Sequence, residues 1–223
     1  MRNYKGKIGS FFCHCYLIVL SAAACFPLLW VLLCSVKTSG DMTSNPTRFF
    51  PKVFTLENFT HVIHDLGFSR NMCNSVLIAL CTTLIAIVIS SMAAYGIVRF
   101  FPRLGSLMSK AMVATYMFPP ILLAIPYSLV MARLGLVNTR VGLIIVYLSF
   151  SVPYAVWMLV GFFRTVPIGI EEAARVDGAN KFQTFVRVVL PLVIPGIVST
   201  AIYTFINAWN AVSYTHLTLP TTS

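Results

Sequence analysis

Five long apolar runs, separated by charged loops, constrain this chain of 223 residues more than any other feature. A bilayer core needs about 20 consecutive and mostly apolar residues for each helix that crosses it. The runs that meet this length are residues 11–36, 74–98, 111–131, 141–163 and 190–209. Charged residues make up 10% of the chain, whereas soluble domains carry about 25%. The sequence therefore predicts an all-α, polytopic membrane helix bundle and argues against a soluble enzyme.

The distribution of basic residues between the loops predicts how the runs are oriented. Membrane proteins retain an excess of Lys and Arg on the cytoplasmic side. The N-terminal tail and the loops 99–110 and 164–189 together hold ten Lys and Arg residues. The loop 37–73 and the short turn containing Arg133 and Arg140 together hold six. We therefore expect a multi-pass protein with a cytoplasmic N-terminus.

The acidic residues are informative because all six of them lie outside the apolar runs. Proton- or sodium-coupled carriers usually need an ionisable group at membrane depth, where it is costly and therefore marks function. None of the five runs contains a carboxylate or a lysine, which makes a self-contained secondary carrier or channel the less favoured alternative. A membrane anchor that recruits a cytosolic partner and transports nothing is a second alternative.

The sequence shows no convincing pattern of catalytic or metal-binding residues. Its six cysteines have no CxxC spacing and lie mostly in apolar stretches, where cysteine behaves as a small hydrophobic residue. His61, His64 and Asp65 have helical spacing, and an exposed polar helix face is the preferred interpretation. The basic residues flank apolar runs, so we expect the lipid bilayer and no nucleic acid as a partner. We expect no catalytic site, no metal and no cofactor bound by this chain.

The loop 164–189 is unusually long and organised. Pro167 suits a helix start, and Glu171 and Glu172 lie early enough to favour the helix dipole. Gly178 is placed to end that helix, because glycine accepts the left-handed conformation. A second amphipathic helix can follow within the same loop. Such an elbow could dock on another protein, or it could lie on anionic lipid, and the residues alone do not separate these two interpretations.

A resemblance to a known family bears on this choice. Residues 171–195, EEAARVDGANKFQTFVRVVLPLVIP, resemble the EAA loop of permease subunits of bacterial binding-protein-dependent ABC importers. That pattern is EAA-x3-G-x9-I-x-LP, and it is matched here by Glu172–Ala174, Gly178 and Val188–Pro191, with valine in place of isoleucine. Other segments, including AAYGIVRF from Ala93 and INAWN ending at Asn210, resemble the carbohydrate branch, the maltose-type second permease subunit.

The resemblance implies the type I ABC importer permease fold, with about five spans present of an expected six. It also implies that the loop 164–189 docks on a separate ATP-binding ABC subunit. The docking residues it implies are Glu171, Glu172, Ala173, Ala174, Asp177 and Gly178. Because the chain has no GxxxxGK[ST] phosphate loop, ATP and Mg would be used by that partner.

Further partners and boundaries follow from the same resemblance. It implies import of a sugar or oligosaccharide across the bacterial cytoplasmic (inner) membrane, with no substrate-binding residue identified. It also implies a second permease subunit in a heterodimer, and an extracytoplasmic solute-binding protein that reaches the outer loops, 37–73 among them. We expect residues 1–210 to be the transmembrane domain, incomplete, and residues 211–223 to be an atypical tail that is not native.

Overall fold

A computed structural model describes residues 4–65, 67–117 and 119–210, and the regular elements in these ranges are all helices. They are α1 (Tyr4–Ser35), α2 (Ser39–Ser44), α3 (Glu57–His64), α4 (Phe68–Arg99), α5 (Pro102–Tyr116), α6 (Pro120–Arg133), α7 (Arg140–Arg164), α8 (Ile168–Val176), α9 (Lys181–Gln183), a π-helix (Thr184–Val189), α10 (Leu190–Leu192) and α11 (Ile194–Asn210). The chain divides into an N-terminal unit, residues 1–72, and a bundle unit, residues 73–223. The predicted all-α class is confirmed.

The N-terminal unit consists of one long apolar helix and an ordered segment that follows it. Between residues 10 and 35 of α1, no side chain is buried within the described chain. Lys37, just after α1, is buried. Its Nζ donates a hydrogen bond to the carbonyl oxygen of Arg48 at 2.5 Å and lies 4.7 Å from the centre of the Trp30 ring. The amide of Asn58 donates to the carbonyl oxygens of Ser35 and Lys37. These bonds fix the start of the loop that follows α1.

The bundle unit is built on small residues that let α4 and α7 approach closely. Ala86, Ser90 and Ala94 are spaced four residues apart on α4, and all three are fully buried. Small side chains at this spacing allow close helix packing in membranes. The hydroxyl of Ser90 donates to the carbonyl oxygen of Val152 on α7 at 3.4 Å. The two helices thus meet at Ser90, and α7 makes its most extensive helix contacts with α5 and α11.

Two apolar clusters mark the two ends of the bundle unit. One cluster brings the end of α4, at Ala94, together with the end of α7, at Phe163. The other cluster joins Ile78, near the start of α4, to Leu143, near the start of α7. The helices α4 and α7 are therefore parallel. The chain between them has to cross back from the end of the bundle at Ala94 and Phe163 to the end at Ile78 and Leu143.

This return is made by two short helices, although the sequence predicted one span at 111–131. Met112 on α5 packs against the cluster at the Ala94 end, and Met131 on α6 belongs to the cluster at the Ile78 end. Pro119 lies in the break between α5 and α6, and Pro120 begins α6. Proline has no N–H to donate and disfavours helix in the residue before it, so the crossing is made in two pieces.

The other predicted spans are found with changed limits. In the described part of the chain, three helices are long and apolar enough to cross a bilayer, at 10–35, 68–99 and 140–164. A fourth results if Lys181–Leu192 and Ile194–Asn210, which meet at a bend of 76°, count as one span. The predicted run 190–209 thus begins its straight helix only after this bend.

Candidate functional site

The site predicted by the EAA pattern forms an elbow, which we define as residues 165–190. Its first helix, α8, ends where the sequence predicted, because Gly178 has a left-handed φ of +88°. The N–H of Gly178 donates to the carbonyl oxygen of Arg175 at 3.1 Å, and that of Ala179 donates to Ala174 at 3.0 Å. This pair of hydrogen bonds is the Schellman motif, which requires a residue that tolerates positive φ. The chain therefore turns sharply at Gly178.

The second part of the elbow begins with a capping box at Asn180. The side-chain oxygen of Asn180 accepts from the N–H of Gln183 at 2.8 Å, and the side chain of Gln183 accepts from the N–H of Asn180 at 3.0 Å. These reciprocal bonds satisfy two donors that a helix start would otherwise leave free. The predicted second helix is present, but its middle, Thr184–Val189, is a π-helix.

The two adjacent glutamates of the elbow point in different directions. Glu171 is the one buried residue among the nine of α8, whereas Glu172 is exposed. One carboxylate oxygen of Glu171 lies 2.5 Å from the Nε of Arg99, and the other accepts a hydrogen bond from the hydroxyl of Tyr95 at 2.8 Å. A buried charge is tolerated when it is paired and hydrogen-bonded in this way. Glu171 therefore belongs to the interior of the subunit.

Aromatic side chains surround this buried pair. The ring of Tyr95 lies 4.8 Å from that of Phe185 and 6.0 Å from that of Phe163, centre to centre. Arg99 also donates from Nη2 to the carbonyl oxygen of Val166 at 2.7 Å. Sequence reasoning did not identify Tyr95 or Arg99 as site residues. Their spacing of four residues, which puts both on one face of α4, is the signal that could have found them.

The opposite side of α8 forms an exposed surface, the elbow face, made of Glu172, Ala173, Val176 and Asp177. Val176 is 87% exposed, which is unusual for an apolar side chain on a helix. Phe182, at the start of the next helix, is 69% exposed. Of the six predicted docking residues, Glu172, Ala173, Asp177 and Gly178 are exposed, Ala174 is partly buried, and Glu171 faces inward.

A pocket of about 200 Å³ lies between the end of α4, α8 and the start of α9. Its lining residues are Tyr95, Arg99, Phe100, Ile168, Glu171, Glu172, Arg175, Lys181 and Thr184. The Nζ of Lys181 lies 5.4 Å from the centre of the Phe100 ring. The lining carries both charge signs, which suits a polar side chain of a partner better than an apolar ligand.

In the described ranges, no three His, Cys, Asp or Glu side chains come close enough together to hold a metal ion. The Nδ1 of His61 lies 2.7 Å from a carboxylate oxygen of Asp65, and the two side chains are 61% and 66% exposed. This geometry agrees with the preferred interpretation of an exposed polar helix face.

The fold is that of a transporter of the ABC class. The chain superposes with a TM-score of 0.79 on the crystal structure of a bacterial ABC transporter involved in the import of the acidic polysaccharide alginate. The match covers 94% of this chain and 74% of the other, at 21% sequence identity. An identity this low shows the fold alone.

Sequence comparison shows the family. Residues 86–220 match the family described as binding-protein-dependent transport system inner membrane component, and the chain belongs to that family. It is 39% identical to the trehalose transport permease SugB of Mycobacterium tuberculosis, over 84% of this chain and 68% of that one. It is 34% identical to the diacetylchitobiose uptake permease NgcG of Streptomyces coelicolor, over 88% and 65%. The chain thus spans about two thirds of the length of these relatives.

The family resemblance predicted from the EAA pattern is confirmed. A further relative, the trehalose/maltose transport permease MalG of Thermococcus litoralis, is 33% identical over 86% of this chain and 69% of its own length. The family match extends to residue 220 and therefore into the tail 211–223, which lies outside the described residues. The foreign origin of that tail stays a prediction.

Proposed function

We propose that this chain is the permease subunit of an ATP-driven importer that moves a sugar or oligosaccharide across a bacterial cytoplasmic membrane. The family and the sugar-transport permeases related to the chain support this proposal. The observation that carries it is the elbow, a capped helical hinge that is tied to the bundle on one side and exposed on the other. An exposed face of this kind suits docking of a separate ATP-binding subunit.

The elbow face has the chemistry of a docking surface. Val176 and Phe182 are apolar and largely exposed, so their burial by a partner would be favourable, at about 25 cal/mol per Å² of apolar surface. Ala173 has a small side chain that lets a partner approach closely. Glu172 points outward and offers a carboxylate for a charge-assisted hydrogen bond from a basic side chain. Glu171 is not part of this surface, because it is engaged inside the subunit.

The remaining partners follow from the exposed helices and the charge distribution. A helix that is apolar all round, such as α1, has to be covered by lipid or by another membrane subunit, which suits a second permease subunit. The excess of basic residues in the N-terminal tail and in the loops 99–110 and 164–189 supports a cytoplasmic N-terminus and a cytoplasmic elbow. There the ATP-binding subunit, with its ATP and Mg, would dock. A solute-binding protein would approach the opposite face of the membrane.

Reconstitution of the assembled transporter tests this function. The chain is co-produced with the ATP-binding and second permease subunits of its importer. Uptake of labelled sugars into proteoliposomes is then measured in the presence of the solute-binding protein, with and without ATP. We expect Glu172→Lys and Gly178→Leu to insert normally in the membrane and to abolish ATP-driven uptake. Lys110→Glu, which reverses an exposed charge on α5 outside the elbow and the outer loops, is the matched control and should keep uptake.

Three outcomes would contradict the proposal. Normal sugar-stimulated ATP hydrolysis and uptake in both elbow variants would remove the docking role. Uptake by this chain alone, without any ATPase, would favour a secondary carrier. Stable binding of a cytosolic partner without movement of any solute would favour a membrane anchor.

A further inference from the structure

We propose that the buried contact of Glu171 with Arg99 and Tyr95, here named the α4–elbow link, passes the movement of the elbow to span α4. The inference rests on the proposed function and deepens it, because it assigns positioning residues that do not touch the docking partner. A surface that binds an ATPase subunit is not sufficient for transport. The elbow must also move the spans with it, which requires a stiff connection.

The geometry of the link holds the carboxylate of Glu171 at both oxygens. Arg99 binds one oxygen at 2.5 Å and Tyr95 binds the other at 2.8 Å. Both donors come from the same face of α4, one helical turn apart, so the carboxylate cannot rotate away from one donor without losing the other. Any displacement of α8 therefore pulls directly on the last turn of α4.

Arg99 extends the link to a third element. Its Nη2 donates to the carbonyl oxygen of Val166, in the segment that joins α7 to α8. Val166 belongs to the buried apolar cluster at this end of the bundle, together with Phe163 and Ala94. One guanidinium group thus connects the end of α4, the end of α7 and the elbow helix.

Burial protects this link from screening by salt and makes it costly to break. The side chains of Arg99 and Glu171 are 10% and 8% exposed, whereas those of the pair His61 and Asp65 are 61% and 66% exposed. A buried pair is screened little by salt, and removal of one partner leaves an uncompensated charge in the interior.

Little else holds α8 to the bundle. Glu171 is the one buried side chain of this helix, and the apolar residues Ile168, Ile170 and Val176 are 56%, 40% and 87% exposed. Apolar packing therefore contributes little to the attachment of α8. The polar link is the main side-chain connection between the docking helix and the spans.

The test compares two neighbouring glutamates in the reconstituted transporter. For each variant we would measure retention of the ATP-binding subunit on purification, and the number of sugar molecules imported per ATP hydrolysed. Glu171→Gln should retain the ATP-binding subunit and lower the import ratio by about fivefold or more, the lower end of coupling between sites. Glu172→Gln should instead weaken retention of the ATP-binding subunit. Lys110→Gln, which removes an exposed charge on α5, should change neither quantity.

Two further variants separate the link from a general loss of folding. Tyr95→Phe removes one hydrogen bond and keeps the aromatic ring, so it should fold and lower the ratio less than Glu171→Gln does. The exchanged pair Arg99→Glu with Glu171→Arg should recover part of the ratio that either single change loses. If the pair only stabilised the fold, the single changes would lower the yield of folded protein and leave the import ratio of that protein unchanged. There would then be no loss of the import ratio for the exchanged pair to recover.

The results that would overturn the link are distinct from failure of the function itself. A wild-type import ratio in both Glu171→Gln and Tyr95→Phe would show that the link transmits nothing. Loss of the ATP-binding subunit in Glu171→Gln, as large as in Glu172→Gln, would make Glu171 a docking residue. An unmodified transporter without ATP-driven uptake would overturn the proposed function before any variant is compared.

Discussion

Two turns of the bundle unit use the same backbone chemistry and differ in how they are packed. The turn between α6 and α7 ends its first helix at Gly135, with φ +67°, and the hinge between α8 and α9 does so at Gly178, with φ +88°. Each then starts its second helix with a side-chain cap, Thr139 in the turn and Asn180 in the hinge. The next glycine after the turn, Gly142, is packed so tightly that a Cβ there would overlap the carbonyl oxygen of Leu136.

The left-handed glycines of the two connections are alike, because a Cβ on Gly135 or on Gly178 would meet nothing within 4 Å. The connections differ at the third residue of the second helix. In the turn this residue is Gly142, which packs on the Leu136 carbonyl, and in the hinge it is Gln183, whose side chain completes the capping box. The turn is therefore closed by backbone packing, whereas the hinge is held by side-chain hydrogen bonds and has the exposed Val176 beside it.

The largest effect is expected where the turn is closed. Gly142→Val would force the Leu136 carbonyl away from α7, and overpacking of this kind costs about 1–3 kcal/mol or more. Thermal unfolding of the purified protein in detergent measures the loss. Gly161→Ala is the matched control on the same helix, because a Cβ there meets nothing within 4 Å. Equal stability of the Gly142 variant and its control would show that the turn is not closed by packing.

A smaller effect is expected at the hinge, where conformation and not space is limiting. Gly178→Leu should cost about 1–2 kcal/mol, since a left-handed backbone is unfavourable for a residue with a Cβ. Gly178→Asn should cost less, because asparagine visits this conformation more readily. Hydrogen exchange at the amide of Ala179, which donates across the hinge, reports the difference. Equal damage from both substitutions would point to crowding, which the structure does not show.

The smallest effects are expected at the two caps, and these should be alike. Thr139→Ala and Asn180→Ala each remove one side-chain acceptor, at a cost of about 1 kcal/mol. Exchange of the protected amides, Gly142 in the turn and Gln183 in the hinge, measures the two losses separately. Thr139→Ser should restore protection, since its hydroxyl can accept the same bond. A much larger loss at Asn180 would mean that the hinge depends on its cap more than the turn does.

The parts of the elbow that depend on nearby residues could be predicted from sequence. The end of α8 at Gly178 follows from the conformational freedom of glycine, and the second helix follows from its local pattern. The apolar runs likewise located the long helices at 68–99 and 140–164. The end of α8 and the start of the second helix depend on interactions within a few residues. The long helices depend on the length of apolar sequence that a bilayer requires.

Two features could not be predicted from the sequence for physical reasons. Glu171 and Glu172 are chemically identical, and only the position of Arg99, 72 residues earlier, decides which of them is buried. The run 111–131 is long and apolar enough for a single span, and its prolines alone do not distinguish a kinked helix from the two separate helices that the structure shows. A measure of side-chain polarity contains neither the position of a residue that is distant in the sequence nor the missing N–H of proline.

The π-helix at Thr184–Val189 has a consequence for the spacing in the family pattern. There the N–H of Leu190 bonds to the carbonyl of Phe185, five residues earlier, so the segment accommodates one residue more than an α-helix would. Each residue of an α-helix turns the chain by about 100°. If the segment kept α-helical bonds with this extra residue, the hinge would be rotated by that angle about the axis of the following helix. The π-helix absorbs the extra residue, so it fixes the direction in which the elbow points with nine residues between Gly178 and Val188.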